Sequence, residues 1–184
     1  MAERAAFRRV SGVNPHADVA AFRVADDWGR PDLPIELNGA GAMLSEDVLL
    51  LGYPYGLSFR EADDGIPFVK KGCLSAIDFA EKKGVVIYYL DVINNIGFSG
   101  GPVCLPRLAP QTPKILGIVH GYHQEWVSLE VGGKPAKGAL VAANTGITLA
   151  YSVEHVLQAI NANPIPYVVG GGASEHYPTS AAKT

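Results

Sequence analysis

The strongest constraint on this chain is the shortness of its apolar runs. Seven of them, none longer than nine residues, stand between turn-rich spacers: DVAAFRV (18–24), DVLLLGYP (47–54), CLSAIDF (73–79), GVVIYYLDV (84–92), KILGIVHGY (114–122), and the pair GALVAAN and ITLAYS within 138–152. Runs of this length, rich in β-branched and aromatic residues, read as strands, and GRPDLP, EADDGIP, EKKG and LPRLAPQTP read as the loops between them. Strands at such spacing point to an all-β barrel or sandwich. One helix is expected. Ser152 can cap VEHVLQAINAN, with Val153, Val156, Leu157 and Ile160 on one face and Pro164 as the stop. His155 on that helix is expected at the surface or half-buried, and GGGASEHYPTSAAKT (170–184) reads as a disordered tail.

Composition narrows the function classes. In 184 residues, 48% hydrophobic content against 18% charged is enough to build a core, as one domain or two small sub-domains. A net charge of −3, with basic residues clustered only as the pairs Lys70–Lys71 and Lys82–Lys83, gives no footprint for nucleic acid. No apolar run is long enough to span a bilayer, and MAERAAFRRV lacks the apolar segment of a signal peptide. No membrane or nucleic-acid partner is therefore expected. Cys73 and Cys104 are too few for a disulfide framework or a four-ligand zinc site, and no His/Cys/Asp cluster has ligand spacing, so no metal or organic cofactor is expected. The two thiols can pair or stay reduced.

The chemistry concentrates at NNIGFSGGPV (94–103), where Ser99 sits among three glycines with Pro102 just beyond. A serine hydroxyl acts as a nucleophile at neutral pH only with a base in reach and donors for the developing oxyanion. Glycines flanking the serine let the backbone turn so that the Gly97 and Ser99 N–H groups face one concavity. Residue by residue, GFSGG is compatible with that or with a plain glycine turn. It also satisfies the G-x-S-x-G elbow of α/β-hydrolases, which needs a helix directly after the serine. Pro102 and VCLPRLAP offer none, and no aspartate follows Ser99.

DVINNIGFSGGPV (91–103) resembles the nucleophile segment of trypsin-like, chymotrypsin-fold serine proteases, closest to the bacterial HtrA/Deg-type branch, with Asp91 and Asn95 at recurring positions. Other landmarks follow in order: HADVAAFRV resembles the segment of the triad aspartate, VLLLGYPYGL the strand and turn closing a first barrel, and KKGCLSAIDF the opening strand of a second. ILGIVHGY resembles the strand beside the specificity pocket, and NTGITLAYSVEHVLQAI the last pocket strand and C-terminal helix. The resemblance implies an all-β, chymotrypsin-like double β-barrel with an incomplete first barrel (1–65), a second barrel plus C-terminal helix (66–168) and a tail (169–184). It implies a serine endopeptidase acting on peptide or protein substrates. Ser99 would be the nucleophile, Asp18 the residue orienting a histidine, and Gly97 and Ser99 the oxyanion hole. Ile93, His120, Gly121, Tyr122 and Gly146 would be the substrate-binding residues. Apolar Ile93 argues against a basic preference, and Gly146 would leave the pocket open to small or medium apolar side chains.

The catalytic histidine of that pattern lies well upstream of the aspartate, and only His16 precedes Asp18 here. His16 reads as a turn residue, His120 as a strand residue whose backbone pairs with substrate, and His123, His155 and His176 as lying elsewhere. The chain therefore reads as truncated at its N-terminus and nearly inert alone. A preceding segment or a second copy is expected to cover the exposed barrel edge. The alternative is a catalytically inactive, protease-like binding or regulatory module.

Overall fold

A computed structural model describes residues 9–11, 14–22, 34–57, 59–60, 65–80, 84–106 and 112–163. Strands dominate them: β1 (Arg9–Ser11), β2 (Ala20–Phe22), β3 (Glu36–Leu37), β4 (Asp47–Gly52), β5 (Phe59–Arg60), β6 (Gly65–Ile66), β7 (Phe68–Ala80), β8 (Val85–Asp91), β9 (Pro102–Leu105), β10 (Lys114–Val131) and β11 (Lys134–Ser152). One helix follows, α1 (Val153–Ala162). The expected tail at 170–184 and the loops at 29–33, 61–64 and 107–111 lie outside the described residues.

The strands β11, β8, β7, β4, β9 and β10 pair in that order, and β10 pairs back onto β11, so the sheet closes on itself. Closure removes the strand edges that an open sheet would leave unpaired. Alternating residues fill the interior. Val48 and Leu50 from β4, Leu74 from β7, Leu90 from β8, Val103 and Leu105 from β9 and Leu116 from β10 are all fully buried. This is the period-2 pattern that the apolar runs carry.

The barrel boundary differs from the one expected. β4 was assigned with residues 1–65 to a first barrel, yet it pairs along its whole length with β7, from Asp47↔Cys73 to Gly52↔Phe68, and with β9. Its buried residues Val48 and Leu50 belong to the same core as Leu90 and Leu116, so the barrel begins at β4. Of the preceding chain, the described residues form a separate β1–β2 pair and the short β3, which adds parallel to β10. Ala17 and Val19 at the entry to β2 pack on Val85 and Tyr151 of the barrel and on Val156 of α1.

Two elements run beyond their expected ends. β10 and β11 continue past Tyr122 and start before Gly138, forming a long ribbon turned at Gly132–Gly133, whose φ values are +62° and +74°. A two-residue turn with both central residues at positive φ matches the twist of a hairpin, and glycine adopts it without steric cost. The helix is capped as expected: Ser152 Oγ accepts from the Glu154 N–H at 3.3 Å. Its buried face is Val153, His155 and Ala159, however, while Ile160 is exposed. His155 is buried because its Nε2 accepts the Val86 N–H at 3.0 Å, tying helix to barrel. Cys73 and Cys104 are free thiols.

Leu90→Ala is expected to lower unfolding stability by about 2–5 kcal/mol, read from urea denaturation, because it empties a filled barrel interior. Leu140→Ala, on the exposed ribbon, should stay within ~0.5 kcal/mol.

Candidate active site

Residues 92–101 join β8 to β9 and carry Ser99. The segment has no regular structure, so its polar groups must be satisfied one by one. Thr148 Oγ1 donates to the Val92 carbonyl at 2.7 Å, and the Val92 N–H donates to the Gly146 carbonyl at 3.0 Å. The Tyr53 and Tyr55 N–H groups donate to the Gly97 and Ile96 carbonyls at 3.0 and 2.9 Å. Gly100 N–H donates to Val119 O at 2.8 Å, and Val119 N–H returns a bond to Gly101 O at 2.9 Å. The loop is thus clamped between the strand end of β4 and the middle of β10.

Inside the clamp, Phe98 is fully buried. Room for it exists because position 52 is glycine: a Cβ there would stand 2.7 Å from the Phe98 ring. At Gly97, φ is +103° and a Cβ would run into the Tyr53 carbonyl oxygen, so glycine is required both by conformation and by space. With the Gly97 carbonyl turned to Tyr53, the Gly97 and Ser99 N–H groups have no hydrogen-bond partner among the described residues. These are two uncommitted donors beside an exposed serine.

Lys70 of β7 reinforces the loop from beneath. Its ammonium donates to the Ile93 carbonyl at 2.7 Å and to Asn95 Oδ1, and it lies 5.1 Å from the centre of the Phe98 ring. Desolvation there pushes its pKa below the ordinary lysine value. The lysine pair of the sequence gave no hint of this role. Lys71 points outward to Asp47, 2.7 Å away, as alternation along a strand requires.

Ser99 lines two cavities. One, of about 400 Å³, is lined by Asn94, Asn95, Ile96, Gly97, Ser99, Gly121, Tyr122 and Gln124. The other, of about 260 Å³, also includes Ser99 and takes in Asp18, His120, Tyr151 and Val156. Asp18, Ser99 and His120, assigned to separate segments of the sequence, therefore share one concavity. The Ser99 hydroxyl donates to the His120 carbonyl at 3.2 Å.

The substrate-side residues divide. Gly121 and Tyr122 line the larger cavity with Gly97 and Ser99. Ile93 does not; it is 60% exposed and lies towards Gly146. The residue turned inward is Asn94, 1% exposed, whose amide donates to Gly121 O at 3.1 Å and whose carbonyl accepts from the Asn144 amide at 2.8 Å. Asn94 Oδ1 is buried with no hydrogen-bond partner among the described residues. The wall expected to be apolar from Ile93 is thus built by an asparagine, which no spacing argument had singled out. Gly146 acts through its backbone, at φ +84° and bonded to Val92.

Four of the five histidines have their positions described. His16 sits in an exposed turn, its N–H bonded to Asn14 Oδ1 at 2.9 Å. His123 is exposed beside Thr145, with 3.4 Å between Nδ1 and Oγ1. His155 is held under α1, and His176 lies outside the described residues.

No protein-family model matches the chain, and no curated protein matches it. Among solved structures, the chain is similar to the HtrA-type protease AlgW, in a serine-to-alanine form with a tripeptide. The identity is 19%, the likeness covers 85% of this chain and 42% of that one, and the TM-score is 0.53. It spans less than half the length of that protein. Rv3671c of M. tuberculosis, in an inactive serine-to-alanine form, is matched at 18% identity over 86% of this chain and 68% of its own, with a TM-score of 0.48. The fold is the all-β, chymotrypsin-like one of HtrA-type serine proteases.

Lys70→Met removes both ammonium bonds to the loop. Amide exchange at Phe98, Gly100 and Gly101, whose N–H groups are bonded within the clamped loop, is expected to quicken about tenfold, the effect of ~1.4 kcal/mol of lost local stability, with global unfolding changed much less. Hydrogen-exchange mass spectrometry reads both.

Proposed function

We propose that the chain carries a serine hydrolase site for peptide bonds, with Ser99 as nucleophile. The observation that carries this reading is the pair of uncommitted N–H groups at Gly97 and Ser99 next to an exposed hydroxyl, with Asp18 across the adjoining cavity. In this reading Ser99 Oγ attacks the scissile carbonyl and its proton passes to an imidazole held by Asp18. The two N–H groups receive the oxygen that becomes negative. They act through charge that develops in the reaction, so they discriminate transition state from substrate.

The larger cavity would receive the side chain preceding the scissile bond, against Gly121, Tyr122 and Asn94. β10 pairs with β9 only as far as Ile118↔Pro102, which leaves the β9 side of His120–Tyr122 without a strand neighbour among the described residues. An extended peptide adding there by main-chain hydrogen bonds fits that opening. The second reading, a protease-like module that binds without cutting, is favoured by one observation. His16, the histidine preceding Asp18, faces solvent in a turn.

A fluorophosphonate probe separates these readings. Under the first, it modifies Ser99 of the native protein, mapped by peptide mass spectrometry, and neither heat-denatured protein nor Ser99→Ala is modified. Native protein that labels no faster than Ser99→Ala would leave the binding module standing and remove the hydrolase.

A further inference from the structure

We infer that His120 is the general base for Ser99. The inference rests on the reading of Ser99 as a nucleophile and names its base among the described residues. Among the histidines whose positions are described, His120 lines the cavity that also holds Asp18 and Ser99, while His16, His123 and His155 are committed to a turn, to Thr145 and to the Val86 amide.

Backbone geometry gives the reason. The β10–β11 ladder slips at this residue: Val119 pairs with Ala150 and Gly121 with Leu149, so His120 is the extra residue of a bulge. A bulge re-aims its side chain away from the alternation of the strand and frees its backbone from the ladder. Both effects are present. The freed His120 carbonyl accepts the Ser99 hydroxyl at 3.2 Å, and the imidazole is exposed, resting on Tyr151 with ring centres 4.7 Å apart at 43°. The carbonyl that holds the serine hydroxyl and the imidazole belong to one residue, and that residue and Ser99 line the same cavity. In the resting state the hydroxyl keeps its proton and donates a hydrogen bond to that carbonyl. Turning the ring towards Ser99 gives up the contact with Tyr151. Catalytic hydrogen bonds are commonly long or misaligned before substrate binds.

The reaction balances without any added reagent. As Ser99 Oγ forms its bond to the carbonyl carbon, its proton goes to an imidazole nitrogen and the carbonyl π pair moves onto oxygen, facing the Gly97 and Ser99 N–H groups. The tetrahedral species collapses with cleavage of the C–N bond, the imidazolium returning its proton to the leaving amine. Water then repeats the sequence on the ester, releasing the acid and restoring Ser99. Asp18, which lines the same cavity, stabilises the imidazolium charge in this reading.

The test is the rate of fluorophosphonate labelling at Ser99 in the full chain. His120→Ala and His120→Gln should each slow it about 10²–10³-fold, the range that a positioned base supplies, with thermal unfolding unchanged. His123→Ala should label at the parent rate. Free imidazole added to His120→Ala should restore part of the lost rate, since the cavity can admit the ring, and should do nothing for Ser99→Ala. Parent-like labelling of His120→Ala would overturn the inference while leaving Ser99 as nucleophile. Failure of every form to label Ser99 would overturn the nucleophile and the inference with it.

Discussion

The site depends on one buried ring. Phe98 carries no polar group, yet its burial beneath Gly52 fixes the turn in which Gly97 and Ser99 sit on either side of it. A loop of ten residues without regular hydrogen bonding loses its conformational freedom at a cost of roughly 1–2 kcal/mol per residue. An apolar anchor at its centre offsets part of that cost, and the bonds from Tyr53, Tyr55, Val119 and Lys70 convert the anchored loop into a single shape. The donors at Gly97 and Ser99 are left without a partner among the described residues while the neighbouring carbonyls of Ile96 and Gly97 are taken by Tyr55 and Tyr53.

The sequence exposed the parts of this architecture that rest on local rules. Apolar alternation in DVLLLGYP and GVVIYYLDV marked strands whose inward residues do fill the core, and Ser152 caps the helix where its side chain can reach an orphan N–H. What escaped depends on pairing partners far along the chain. β4 was read as the end of one barrel because nothing within 47–54 says that its neighbour is β7. The ribbon beyond Tyr122 was missed although VGGK is a turn signal, because WVSLEV and KPAKGALVA mix polar and apolar residues on both faces. His155 was read as a surface residue since its one partner, the Val86 amide, lies 69 positions away.

At the site itself the divide is the same. The serine, its glycines and the aspartate are legible as a motif because their spacing is local or ordered along the chain. Ile93 and Asn94 were interchanged in effect, because which of two neighbours faces a cavity is decided by the amide bonds of Asn94 to Gly121 and of Asn144 to Asn94. Lys70 and Lys71 show the converse: adjacent, identical in charge, and sent to opposite sides by the strand that carries them, one to the loop and one to Asp47.

The glycine-turned ribbon has a consequence for the site. Its two strands pair from the Gly132–Gly133 tip to Tyr122↔Thr148, with register shifts between Ser128 and Glu130 and between Tyr122 and Gln124, so the ribbon ends at the larger cavity. Past Ile118 on one side and Ile147 on the other it is held by no third strand among the described residues. Trp126 and Leu140, both exposed, sit on these two strands a few residues from Asn144. The bond from the Asn144 amide to the Asn94 carbonyl is the point at which the ribbon meets the cavity beside Ser99.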